Sequence, residues 1–325
     1  MRSEPDDRVG SDAVPGNPRP TTVRPVRLGD LAARLAATVP EEAAEPAVTG
    51  VTHASQEVRP GDLYAALPGV RRHGAEFAAA AAEAGAVALL TDPAGVALAA
   101  GTDLPVLVVD DPRDALGEVA STIYGDPTAG LAVIGVTGTA GKTSTSYLVE
   151  SGLRAAGHVT GLIGTVETRL GDLVIDSVRT TPEATDLHAM LAVAREHGVD
   201  TVVMEVSSHA LAMGRVGGVR FDVGGYTNFG SDHLDFHADE ADYFAAKARL
   251  FDGRCRVEVL NHDDPALRPL YKPGTVTYSA AGDPDATWWA DGVDGEGYAQ
   301  RFTLHGPDGL MLPTGVALPG RHNVA

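Results

Sequence analysis

The segment "LAVIGVTGTAGKTSTSYLVESGL" (131–153) places a short apolar run, a glycine loop and the start of a helix in a row. A loop of this kind aims backbone N–H groups and the positive helix end at a phosphate. Lys142 adds a point charge for the β- and γ-phosphates, and the Thr143 hydroxyl can bind Mg2+. The usual G-x-x-x-x-G-K-[ST] spacing is not fully met: Val136 holds the first glycine's place and Gly135 lies one residue out. The loop is therefore "GTAGKT", Gly138 to Thr143, and its strand–loop–helix context points to ATP.

Other chemistry-bearing residues follow further apolar runs. "TVVMEVSSHAL" puts Glu205 near the end of an expected buried strand, where a carboxylate without a counter-charge is expensive. "YTNFGSDHLDFH" crowds Asp232, His233, Asp235 and His237 into six residues. Taken alone this is a solvated acidic turn; beside an ATP loop and Glu205 it reads as a metal site. The chain has three lysines, Lys142, Lys247 and Lys272, so arginine is its ordinary cation. Lys247, in "DYFAAKARLFDG", is either a solvated helix lysine or one kept for its amine chemistry. "VRTTPEATDLHAML" offers Thr180 and Thr181 before a helix that Pro182 can start: an N-capped helix, or a second anion site.

Elements must hold these residues together. Strands are expected at "LAVIGV", "TVVMEV", "FDVGGYTN" and "RVEVLNHDD", with helices near 144–156, 184–197 and 240–251. This alternation implies a mostly parallel sheet covered by helices, with ligands at the carboxyl ends of its strands. Before it, residues 25–127 read as a small mixed α/β domain: a helix in "LGDLAARLAATV" (28–39), strands broken at Pro60-Gly61, a helix in "AEFAAAAAEAG", then "AVALLTD" and "LPVLVVDD". The fold class is thus α/β, with a central P-loop-type domain over 128–325. Residues 1–24 are rich in Pro, Gly and charge and are expected to be disordered.

The 325 residues carry 25 Lys+Arg against 44 Asp+Glu, a net charge of −19. That balance argues against a nucleic-acid or anionic-membrane partner, so a phosphate must be held by a local device. With Cys255 as the sole cysteine no intramolecular disulfide can form, and a cytoplasmic location is expected. The most apolar run, "EFAAAAAEAGAVALL", is too short to span a bilayer.

In order, "GTAGKTS", "TTPEA", "MEVSSHALAMGRV", "TNFGSDHLDFH", "AAKARLF" and "GRHNV" resemble the Mur ligases, and within them the UDP-N-acetylmuramoyl-tripeptide synthetase (MurE) branch. "PGDLYAALPG" followed by "HGAEF" resembles the uridine-binding domain of that branch. The resemblance covers residues 25–325. It implies an ATP-dependent amide ligase of peptidoglycan precursor synthesis. In such an enzyme the γ-phosphate goes to the free carboxylate of UDP-MurNAc-L-Ala-D-Glu, and the amine of a diamino acid, meso-diaminopimelate or L-lysine, attacks the acyl phosphate.

By position the resemblance gives ATP to Gly138, Thr139, Ala140, Gly141, Lys142, Thr143 and Ser144, with Asn323 on the adenine side. Thr143 and Glu205 would bind one Mg2+; His233 and a carbamylated Lys247 would serve a second. The catalytic set is then Lys142, Glu205, His233 and Lys247. Thr180, Thr181, Ser207 and Arg215 would contact the UDP-muramoyl substrate, with Ser55 and the loop Val70, Arg71, Arg72 at its uridine end. A monomer is expected.

The sequence departs from the pattern at Met213, where some members have Gln, at "HASQ" in place of Asp-Ser-Arg, and at Gly230, where a polar residue is commoner. Members also continue past "GRHNV" into a C-terminal domain for the incoming amino acid, so this chain reads as a fragment inactive on its own. Two other readings are a different Mur-like ligase (D-alanyl-D-alanine-adding, folylpolyglutamate synthase or MurT type) and a non-catalytic nucleotide- or UDP-sugar-binding module.

Overall fold

The computed structural model describes residues 18–324 except 38, 40–42 and 297. The first unit comprises β1 (Val26–Arg27), α1 (Leu28–Arg34), β2 (Ala47–Val48), β3 (Gly50–Thr52), β4 (Asp62–Ala65), α2 (Ala78–Glu83), β5 (Ala88–Thr91), α3 (Pro93–Leu98), β6 (Val106–Val108) and α4 (Pro112–Ile123). Strands β3-β4-β5-β6 form an all-parallel sheet, and β1 and β2 make a separate antiparallel pair. Side chains alternate across β4: Leu63 and Ala65 face α1 and α4, while Tyr64 packs with Ala75, Ala78 and Leu89.

The second unit continues with β7 (Ala132–Thr137), α5 (Lys142–Ala155), β8 (Thr160–Ile163), β9 (Glu167–Leu170), β10 (Leu173–Asp176), α6 (Ala184–Glu196), β11 (Thr201–Glu205), α7 (Ser208–Ala212), β12 (Phe221–Tyr226) and α8 (Glu240–Ala248). It ends with β13 (Cys255–Asn261), β14 (Val276–Ser279), β15 (Trp288–Glu296), β16 (Ala299–Gly306) and β17 (Leu310–Val316). One sheet runs β10-β9-β8-β11-β7-β12-β13-β14-β15-β16-β17. It is parallel from β8 through β15 and antiparallel at both ends.

Strand β11 is buried throughout because both of its faces are covered. Val203 packs with Val136 and Leu162 against Tyr147 and Leu153 of α5, while Val202 and Met204 face Leu187, Met190 and Leu191 of α6. Strands buried on both faces read as continuous apolar runs, which is how "TVVMEV" reads. Register aligns Glu205 with Val136, and Tyr226 with Thr137, so the loops after β7, β11 and β12 open at one edge.

Three expectations are corrected. Of the expected disordered tail, residues 1–17 lie outside the described residues, but 18–24 are held in place. Arg19 Nη1 reaches both oxygens of buried Asp62 at 2.6 and 2.8 Å, and Glu196 accepts from the Thr21 and Thr22 N–H groups at 2.9 and 3.0 Å. This order comes from ion pairing and backbone hydrogen bonds, to which apolar periodicity is blind. The helix expected over 28–39 stops at Arg34, and Ala36 turns left-handed at φ 52°. The 240–251 segment is α-helical only to Ala248, then tightens to a 3-10 turn over Arg249–Phe251. The hairpin β9–β10 and the C-terminal strands β15–β17 were not anticipated from the sequence.

Helix α6 packs on both units: Ala184, Ala189 and Ala192 join the core of the first, while Leu187, Met190 and Leu191 join that of the second. Its His188 is fully buried, and Nε2 donates to the Gly217 carbonyl at 2.8 Å. Burial holds this imidazole below its ordinary 6.5, so it folds neutral. As pH falls below about 6.5 the unfolded chain binds the proton first, and stability is lost by up to about 1.4 kcal/mol per pH unit. His188→Leu should cost about 1 kcal/mol at pH 7 and show a flatter loss toward pH 5 in urea unfolding; an unchanged acid slope would remove His188 as its source.

Candidate functional site

The loop after β7 is built around Gly141, whose φ of 85° favours glycine and whose residue starts α5 with no side-chain cap. The first turn of this fourteen-residue helix therefore presents its N–H groups, and the positive end of its dipole, to the loop. The far wall comes from β12: Thr227 Oγ1 donates to Ala140 O at 2.6 Å, and the Asn228 amide brackets Ala140, accepting from its N–H and donating to its carbonyl, both at 3.0 Å. Thr139 is fixed by Gly230 N–H and by the Tyr243 hydroxyl, 3.0 and 3.2 Å from its Oγ1.

Glu205 ends β11 with 1% of its surface exposed. Its carboxylate accepts from Thr143 Oγ1 at 2.9 Å, Thr165 N–H at 2.8 Å and Thr165 Oγ1 at 3.2 Å. These are neutral donors; the Lys142 charge acts on the carboxylate without a direct bond to it among the described residues. Lys142 Nζ folds back onto the carbonyls of Gly138 and Thr139 at 2.8 and 3.0 Å. Lys247, 1% exposed, comes from α8 to the same Gly138 carbonyl at 2.7 Å and lies 4.6 Å over the Tyr243 ring. Burial, then the neighbouring Lys142 ammonium, push Lys247 down to about 7, while Asp232 opposes the fall. Burial also lowers Lys142, against Glu205 and Asp232.

The second set of expected residues lies alongside. Thr181 is fully buried: its hydroxyl donates to Glu205 O at 2.8 Å and accepts from Ser207 N–H at 3.1 Å. Thr180 sits nearer solvent, 3.0 Å from Thr165 Oγ1. Ser207 caps α7 by accepting from Ala210 N–H at 3.2 Å. Arg215 reaches Thr181 O at 3.4 Å and the Met213 sulfur at 3.3 Å. Thus Lys142, Thr143, Glu205, Thr180, Thr181, Ser207, Arg215 and Lys247 stand in one connected group. Thr165, Asn228 and Tyr243, which tie it together, were not singled out; Asn228 and Tyr243 lie inside the quoted segments "TNFGSDHLDFH" and "DYFAAKARLFDG", and Thr165 and Asn228 stand two residues after strands β8 and β12.

The remaining expected residues are placed differently. His233 is exposed at φ 53°, its ring 4.9 Å from that of His209 and 6.0 Å from Tyr243. Of its neighbours, His237 is buried and pairs with Asp242 at 3.2 Å. Among the described residues no three His, Cys, Asp or Glu side chains are grouped to hold a metal. Ser55, exposed Val70, Arg71 and Arg72 belong to the first unit, Arg72 pairing with Glu76 and covering the Phe77 ring. The Asn323 amide bonds within its own turn, to Pro319 O and His322. Among the described residues no helix is long and apolar enough to cross a membrane.

The donor chemistry fits a nucleotide with Mg2+. An uncapped helix end suits a phosphate, and one carboxylate beside a threonine hydroxyl suits a small hard cation that takes its other oxygens from phosphate and water. Lys247 as a free ammonium is a donor and no ligand; it could join a metal shell only once deprotonated or modified.

Two family models match the chain: "Mur ligase middle domain" over residues 136–325 and "Mur ligase family, catalytic domain" over 47–124. The chain belongs to the Mur ligase family. Among curated relatives, UDP-N-acetylmuramoyl-L-alanyl-D-glutamate--2,6-diaminopimelate ligase of Streptomyces coelicolor is 54% identical over 315 residues, 96% of this chain. The enzyme of the same name from Corynebacterium glutamicum is 44% identical over 272 residues, 81% of this chain and 52% of its own length. The chain spans 62% of the Streptomyces relative. A solved structure of a ligase of that name superposes with TM-score 0.77 at 25% identity, covering 93% of this chain and 61% of that one. The MurF ligase of Thermotoga maritima, solved with ADP, shares the fold: TM-score 0.56, 20% identity, 85% and 61% of the two chains.

Gly164 follows β8, and a Cβ there would fall 2.4 Å from Glu205 Oε1. Gly164→Ala should therefore push the carboxylate off the Thr165 N–H and destabilise the chain by about 1–3 kcal/mol. Urea unfolding against wild type measures this; an unchanged midpoint would mean that Glu205 has room to move.

Proposed function

We propose that the chain carries the nucleotide- and UDP-sugar-binding part of an ATP-dependent ligase that joins a diamino acid to UDP-MurNAc-L-Ala-D-Glu, working as a monomer in the cytoplasm. The observation that carries this reading is the uncapped start of α5 at Gly141, with the Glu205 carboxylate 2.9 Å from the Thr143 hydroxyl. The 54% identity to an enzyme bearing that name supports it and favours 2,6-diaminopimelate as the diamino acid.

On this reading the loop 138–144 cradles the phosphates of ATP, and Lys142 swings from the Gly138 and Thr139 carbonyls to the β- and γ-phosphates. Thr143 and Glu205 would hold Mg2+, which would supply positive charge against the transferred phosphoryl group. Ser207, Arg215 and Thr180 face the substrate whose carboxylate receives that group; Thr181, buried and fully bonded, positions Ser207. Phosphorylation turns a carboxylate into an acyl donor with a good leaving group, which the diamino acid's amine then displaces. The first unit, with Ser55 and the loop 70–72, takes the uridine, and Asn323 serves the adenine.

Lys247 would be carbamylated. A lysine lowered to about 7 has a substantial neutral fraction near neutral pH, the form that attacks CO2; the carbamate would carry a carboxylate-like end that could serve with His233 as a metal ligand.

Calorimetry should show ATP binding by the chain, weakened about 100-fold or more in Lys142→Ala, with the gain from Mg2+ lost in Glu205→Gln. Retention of full ATP affinity in Lys142→Ala would overturn the assignment of the loop. With 13C-bicarbonate, a carbamate carbon signal should appear in wild type and be missing in Lys247→Arg; its presence in both would place the modification elsewhere.

A further inference from the structure

The segment "PRPTTVRP" (18–25) is bonded to both units within a few residues. Arg19 Nη1 spans the two carboxylate oxygens of Asp62, at the start of β4 in the first unit, at 2.6 and 2.8 Å. Asp62 is 2% exposed, so without Arg19 its charge would be buried and unpaired. Two residues on, the chain meets the second unit. Glu196, the last residue of α6, accepts from Thr21 N–H at 2.9 Å, Thr22 N–H at 3.0 Å and Thr21 Oγ1 at 3.1 Å. Val23 and Val26 then pack against the core that the α6 alanines share with the first unit.

The sequence makes room for these contacts. A Cβ on Gly50 would collide with the Asp62 carboxylate and come within 2.9 Å of Arg19 Nη1. Pro18, Pro20 and Pro25 restrict the segment before it binds, and Arg19 and Arg24, each preceding a proline, are biased to extended backbone, so less freedom is lost on ordering. Glu196 stands at the negative end of the α6 dipole, where a carboxylate is disfavoured. Its three donors offset that cost. Thr21, Thr22 and Glu196 are all exposed, and hydrogen bonds in water's reach add little to stability. Their effect is geometric: three donors on one carboxylate fix where the segment lies on α6.

We infer that residues 19–22 form a clasp, pinned to the first unit through Asp62 and to the second through Glu196, which sets the angle between the units and makes Glu196 a positioning residue for a ligand that spans both. That the UDP-muramoyl substrate spans the units rests on the function proposed above; the clasp itself rests on the contacts. A fixed angle leaves less freedom to be lost when a spanning ligand binds. A ligand confined to one unit gains nothing from it.

Glu196 is the informative position: it is exposed, and removing it leaves no buried group unpaired, whereas Arg19→Ala would strand the Asp62 carboxylate. Calorimetry on the full chain would compare UDP, ATP with Mg2+, and UDP-MurNAc-L-Ala-D-Glu. Glu196→Ala should weaken the muramoyl dipeptide about five-fold while UDP and ATP bind as in wild type. Glu196→Gln, whose amide oxygen still accepts, should restore most of the loss. Equal affinity of wild type and Glu196→Ala for the dipeptide overturns the clasp, and so does a loss shared by UDP or ATP, which marks a general structural defect. If wild type does not bind the dipeptide, the functional reading fails, and hydrogen exchange of the ligand-free chain decides the clasp. Faster exchange in Glu196→Ala over α4, the first-unit helix packed on α6, with β7 and β11 unchanged, supports it. Exchange that quickens only near the altered contacts, or everywhere, or not at all, overturns it.

Discussion

A carboxylate buried at the end of a central strand is the constraint around which the second unit is arranged. Glu205 cannot be solvated where β11 places it, so hydrogen bonds must reach it from outside its own strand. Thr143 supplies one from the first turn of α5, and Thr165 supplies two from the loop after β8. The carboxylate thereby joins the phosphate loop to a neighbouring strand end, and Gly164 has no side chain because the carboxylate occupies that space. None of these partners carries charge. The group is satisfied in geometry and underpaid in electrostatics, which is the condition in which a cation binds well.

The opposite imbalance stands on the other side of the loop. Two lysines of the three in the chain donate to one carbonyl, that of Gly138, and burial followed by the Lys142 charge makes the Lys247 charge harder to keep. Lys142 is only partly buried and can swing out to a ligand; Lys247 is sealed against Tyr243 and can only lose its proton or be modified. Position, more than residue type, separates their chemistry: a mobile ammonium suits a phosphate, and a trapped amine suits covalent change.

These contrasts explain what could be read from sequence. The strand–loop–helix order at β7 and α5 and the apolar run of β11 are legible because burial on both faces leaves unbroken apolar stretches before the loops. Lys247 stood out through lysine scarcity. The register that puts Glu205 beside Thr143 depends on β11 lying next to β7, which chain order does not show; the two were expected together only through the family resemblance. Thr165, Asn228 and Tyr243 are ordinary types at ordinary places until the strands are paired. The 18–24 segment was misread because its order comes from two acidic side chains, Asp62 and Glu196, contributed by different units. The antiparallel strands β15–β17 escaped because "ADGVDGEGYAQRF", rich in glycine and charge, reads as a polar loop.

The seam between the units follows from the same reasoning at larger scale. Helix α6 is apolar on two sides, with alanines toward the first unit and larger side chains toward the second, so its apolar residues are buried between both. Small residues let α4 come close, and that approach brings Arg113 to Glu183 at the N-terminal end of α6. Glu183 is favoured there by the helix dipole, and it in turn draws Arg215 and Arg179. The apolar requirement of one helix thus sets where the cationic group forms. Arg19 and the Thr21–Thr22 backbone, bonded to Asp62 of one unit and Glu196 of α6, fasten the same junction from outside. A ligand bridging the two units meets a surface already held at two places, so less of its binding free energy is lost in bringing the units into register.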